Sequence, residues 1–103
     1  MLTLEQINGL QPTQEIFTLS YDRSFGYSVE RRRIISTGPE GVFVMAGVHP
    51  CFIRKEELAD PGIWYFTKAS AEIEMQRRNK IEQLNRDEAV ARMRAEREAG
   101  ASA

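Results

Sequence analysis

A chain of 103 residues that is 42% hydrophobic and 28% charged falls in the composition range of a single folded domain, which excludes a disordered tail or a membrane-embedded chain. Fourteen Lys and Arg against fifteen Asp and Glu leave a formal net charge of −1, so no global field draws the protein to nucleic acid or an anionic membrane, and either needs a local patch. The single cysteine, Cys51, excludes an intramolecular disulfide framework and a four-cysteine zinc site, and suits a reducing cytoplasm.

The opening MLTLEQINGL lacks the basic start and unbroken apolar run of a signal peptide, and no stretch approaches the ~20 apolar residues of a membrane span, so a cytoplasmic protein without membrane contact is expected. Residues 1–12 read as an N-terminal arm or short helix: Thr3 and Gln6 have capping-box spacing, Leu4 and Ile7 are apolar, and Gly9 suits a C-cap. A β-rich body is expected over 13–67. Its first strand is Glu15 to Tyr21, where Phe17, Leu19 and Tyr21 alternate with Ile16, Thr18 and Ser20. Asp22 to Gly26 supplies turn chemistry, and Tyr27 to Thr37 is a longer strand whose imperfect alternation suggests a bulge near Arg33, letting Ile34 and Ile35 reach the core in turn.

Gly38-Pro39-Glu40-Gly41 is a hairpin turn, and the apolar run Val42 to Ala46 reads as the central strand, covered on both faces. Val48 to Arg54 is a further strand that Pro50 assigns to an edge or bulge, Lys55 to Asp60 a loop or single helical turn, and Ile63 to Phe66 the last strand. Thr67 caps a helix over 68–98, which has no proline or glycine, and 99–103 should fray. Ala69, Ile73, Ile81, Leu84, Ala91 and Ala95 fall in one sector of this helix, interrupted by Arg77 and Glu88. The proximal part to about Leu84 is expected to belong to the fold through these apolar residues, with the distal part held by propensity and by Glu–Arg pairs four apart. The fold class is therefore α+β, a small antiparallel β-sheet or SH3-like partial barrel followed by a long C-terminal α-helix, in a single domain.

No catalytic, cofactor-binding or metal-binding residue is assigned, and neither a cofactor nor a small-molecule substrate is expected. His49 and Cys51 flank Pro50 without a glycine loop that could bind an oxyanion, and they offer too few ligands for a metal, so Cys51 is read as a buried structural residue. Two binding surfaces stand out instead. Ile73, Arg77, Ile81 and Leu84 on the helix are the candidate partner-binding residues, for a protein partner or for self-association. Arg23, Tyr27, Arg31 and Arg33 are the candidate nucleic-acid-binding residues, because guanidinium groups hold phosphates while aromatic faces stack bases.

The run Gly41-Val42-Phe43-Val44, and later Trp64-Tyr65-Phe66-Thr67-Lys68 leading into Ala71-Glu72, resembles small bacteriophage and prophage accessory proteins in which a minimal barrel passes through such a junction into a helix. The resemblance covers residues 41–73 and transfers no functional residue. It implies a phage or mobile-element protein that binds a host or phage macromolecule, including by inhibiting a host complex. The expected function is that of a non-enzymatic protein-binding module, with a nucleic-acid-binding regulator using an arginine and aromatic face as the alternative.

Overall fold

In a computed structural model, which describes residues 2–102, the elements follow the chain as α1 (Leu4–Asn8), β1 (Glu15–Asp22), β2 (Gly26–Thr37), β3 (Gly41–Ala46), β4 (His49–Arg54), α2 (Lys55–Ala59), β5 (Trp64–Tyr65) and α3 (Lys68–Ser102). The strands form one antiparallel sheet in the order β4-β3-β2-β1-β5. The expected α+β arrangement of a small antiparallel sheet and a long C-terminal helix holds. An SH3-like barrel does not close: β5 is only two residues long, too short to carry a ladder round to β4, so the sheet stays open with β4 and β5 as its edges.

Side chains fix the ends of these elements. The Thr3 hydroxyl accepts from the Gln6 amide at 3.1 Å while the Gln6 side chain accepts from the Thr3 amide at 2.9 Å, the reciprocal capping box that starts α1. The Asp22 carboxylate accepts from the Ser24 and Phe25 amides, and Gly26 takes a φ of +79° that a β-carbon would penalise, so the chain reverses between β1 and β2. Thr67 caps α3 by accepting from the Ser70 amide at 3.1 Å.

The core lies between one face of the sheet and the short helices. Ile16, Ile34, Val42, Val44 and Ile53 from four strands meet Leu2, Ile7 and Leu10 around α1 and Leu58 of α2. Three sequence-based expectations need correction. The middle strand is β2, third of five, and β3 is covered on one face only: Val42 and Val44 are buried while Phe43 between them is exposed. The bulge falls at Ile35, between the Ile34–Val44 and Ser36–Phe43 pairs, and turns Ile35 outward where it was expected to follow Ile34 into the core. Cys51 is exposed, because β4 is an edge strand.

Helix α3 lies across β1, β2 and β5 on the opposite face of the sheet. Its 35 residues span about 52 Å at 1.5 Å per residue. It continues past the expected end at Glu98, through Gly100 to Ser102, and only Ala103 of the expected frayed tail falls outside the described residues at that end. The packing face also differs. Ala71 is fully buried and Met75, Arg78 and Glu82 are half-buried on one side. The apolar stripe expected to pack is on the other side, with Ile73 69%, Ile81 45% and Leu84 57% exposed.

Candidate functional site

A sheet face that carries three tyrosines needs polar partners as well as apolar cover, because each buried or half-buried hydroxyl must be satisfied. Helix α3 supplies them at regular helical spacing. The Asn79 side chain forms two bonds with one residue of β2: its amide donates to the Tyr27 carbonyl at 3.1 Å, and its oxygen accepts from the Tyr27 amide at 2.8 Å. The Arg78 guanidinium donates to the Gly62 carbonyl at 2.7 Å and to Glu74 at 2.9 Å, and sits 5.5 Å over the Tyr27 ring. The Tyr21 hydroxyl donates to Glu82 at 2.6 Å, which raises its pKa, and Arg86 donates to the same carboxylate oxygen. The Arg77 guanidinium, and Arg78 beside it, hold the pKa of Glu74 down at about 2, although desolvation of the carboxylate pushes it the other way. This network docks the helix and consumes its polar groups in doing so.

On the outward side of α3 the structure brings together all four candidate partner-binding residues. Ile73, Arg77, Ile81 and Leu84 succeed one another at intervals of four, four and three, so they share one exposed helix face. The Arg77 guanidinium donates to Glu74 at 2.9 Å beside this face, leaving Ile73 and Leu84 mostly in water and Ile81 half-covered at the lip of a hollow beside Tyr21 and Tyr27. Every residue from Gln83 to Gly100 is exposed; Gln83, Asn85 and Arg86 still line shallow hollows against the β1–β2 turn, and beyond them the helix leaves the body.

No protein-family model, curated protein or solved structure matches this chain. Function therefore has to be read from its own surfaces.

The candidate nucleic-acid residues are dispersed. Arg23 is in the β1–β2 turn and Tyr27 is half-buried beneath Arg78, whereas Arg31 and Arg33 lie further along β2 on the same sheet face. Arg32 points to the opposite face, where it pairs with Glu30. Arg31 faces Glu15 at 3.4 Å with its side chain 71% exposed. Beyond the edge of α3, this face continues through residues that sequence reasoning missed. Cross-strand partners Phe43 and Phe52 are 45% and 40% exposed, with ring centroids 5.0 Å apart and planes tilted by 49°. Gly41 sits under this pair: a β-carbon there would lie 2.9 Å from Phe52 Cζ and 2.2 Å from the Ile53 carbonyl oxygen. Arg54 stands opposite Gly41 in the ladder. The alternation of Phe43 with Val42 and Val44 signalled two different faces; the sequence gives no sign of which half of the sheet one helix would cover.

Proposed function

We propose that the protein is a non-enzymatic binding module that pairs with a second copy of itself through the outward face of α3, the two helices running antiparallel about Leu84. The observation that carries this reading is the order of charge along that face. Bases Arg77 and Lys80 precede Leu84, and acids Asp87 and Glu88 follow it. Antiparallel pairing about Leu84 sets Lys80 of one copy opposite Glu88 of the other with Asp87 one residue away, twice by symmetry, while Arg77, held by Glu74, comes opposite Ala91. It also places the large Ile73 against the small Ala95 and Leu84 near its own counterpart, whereas a parallel pair would set like charges together. The pairs within one helix, Gln83 to Asp87 at 3.0 Å and Arg92 to Glu88 at 2.8 Å, are exposed and exchange at little cost. The polar docking of α3 to the sheet supports the same reading, since it leaves the apolar residues for a partner. The resemblance to phage accessory proteins, which implies binding to a host or phage macromolecule, supports the binding part of this reading and not the choice of a second copy.

Analytical ultracentrifugation from about 10 µM to about 1 mM should show the mass doubling with concentration. Leu84→Glu should hold the chain monomeric. Lys80→Glu and Asp87→Lys should each weaken association, and their combination should restore it. A monomer over the whole range would exclude the pairing, and a dimer indifferent to all of these substitutions would place the interface elsewhere.

A further inference from the structure

The same sheet face that α3 covers at β1, β2 and β5 is bare at β3 and β4. Two phenylalanines in contact there each keep close to half their surface in water. A hollow of about 260 Å³ adjoins them, walled by the Ser36 to Gly41 turn. Arginines stand at both ends of the ring pair. Arg33 is paired with Met45, the next outward residue of β3 after Phe43 on the same face, with Arg31 one step further along β2. Arg54 stands one step beyond Phe52 on β4. From strand spacings of about 3.4 Å along and 4.8 Å across, the three guanidinium-bearing positions spread over roughly 20 Å with the rings between them.

We propose that this bare half-face binds single-stranded nucleic acid, with Phe43 and Phe52 stacking on bases and Arg31, Arg33 and Arg54 contacting phosphates. A polymer that alternates negative charge with planar rings meets both kinds of group on this surface. An acidic peptide satisfies the arginines and leaves the ring faces unmatched. A duplex keeps its bases stacked inside and offers the rings nothing. Gly41 keeps this end of the face low, since a side chain there would meet the Ile53 carbonyl oxygen first and the Phe52 ring second. With Glu15 beside Arg31, with Glu40, Glu56 and Glu57 around the hollow that Phe52, Arg54 and Lys55 share, and with a net charge of −1, binding is local and weak. Three phosphate contacts on a single strand give a slope of log K against log salt of about −2.

The test is fluorescence anisotropy of a labelled oligothymidylate, and of oligouridylate as its RNA counterpart, titrated with the full chain at several salt concentrations beginning near 50 mM. At least one should bind with the stated slope. The double variant Phe43→Ala/Phe52→Ala should lose roughly tenfold or more in affinity, while Arg33→Glu or Arg54→Glu should weaken binding and flatten the slope by about 0.7. Circular dichroism checks that each variant is folded. Should the alanine variant unfold, Phe52→Leu keeps the apolar bulk, removes the aromatic face and should still weaken binding. Failure of both oligonucleotides to bind, binding unchanged by loss of the rings, or a duplex bound as tightly would each overturn the proposal. Displacement by oligoglutamate as effective as by unlabelled oligonucleotide would reassign the face to an acidic protein and overturn it too.

Discussion

Asn79 is the residue on which sheet and helix most directly agree. Its side-chain amide offers one donor and one acceptor in the geometry of a peptide group, and both are used on Tyr27. Gly26, next to it, turns with φ +79°, and a β-carbon there would approach Asn79 Oδ1 to 2.7 Å. Replacing Asn79 by Asp keeps the acceptor for the Tyr27 amide but sets a carboxylate oxygen against the Tyr27 carbonyl. The expected loss is about 1–3 kcal/mol of unfolding free energy, measured by urea denaturation. Gly26→Ala should cost more than the 1–2 kcal/mol of left-handed backbone strain alone in the wild-type background. Its cost should fall in an Asn79→Ala background, where the steric part is relieved and the backbone part remains. Equal costs in both backgrounds would show that the two residues do not couple.

At the scale of elements, the order of strands and helices was legible because each signal was local. Alternation marked β1, the Gly-Pro-Glu-Gly run marked the β2–β3 turn, and Thr67 followed by a breaker-free run marked α3. What the sequence concealed was which side of α3 faces the sheet. A wheel that counts large apolar residues points to Ile73, Ile81 and Leu84. The true packing side uses Ala71, Met75, Arg78, Asn79 and Glu82, because the sheet presents Tyr21, Tyr27 and Tyr65, whose hydroxyls and ring faces favour small and polar partners. That Ile73, Arg77, Ile81 and Leu84 share a face was legible from their spacing, but that this face points outward was not, and neither was the exposure of Phe43 and Phe52, which depends on where the helix stops covering the sheet. Hydrogen bonds from α3 to the body extend as far as Glu82, whose carboxylate Arg86 braces from the next turn. Deleting residues 88–103 should therefore shift the unfolding free energy by no more than about 0.5 kcal/mol. Truncation after Arg77, which removes Arg78, Asn79 and Glu82 together, should destabilise the body by several kcal/mol or prevent folding. The first deletion also removes Glu88, Ala91 and Ala95, so it should abolish self-association while leaving the monomer intact.

At the scale of the whole molecule, shape follows from the unsupported half of one helix. A compact domain of this length has a radius of gyration near 13 Å, against 19.4 Å here, with principal extents of 67 × 28 × 21 Å. A helix of about 52 Å lies along the long dimension, so the sheet overhangs one end of it by about 15 Å. Antiparallel pairing about Leu84 overlaps the two helices almost completely, because Leu84 is close to the midpoint of Lys68–Ser102. The bodies then sit at opposite ends, the overhang counts twice, and the greatest dimension rises to about 80 Å. A parallel pair would put both bodies at one end and keep the greatest dimension close to that of the monomer. Small-angle X-ray scattering on the dimer, with the Leu84→Glu monomer as reference, separates these outcomes. A doubled mass with no gain in length would sink the antiparallel arrangement, whatever the affinity. A gain in length of about 15 Å would place the two bodies at opposite ends of one particle, as the antiparallel arrangement requires.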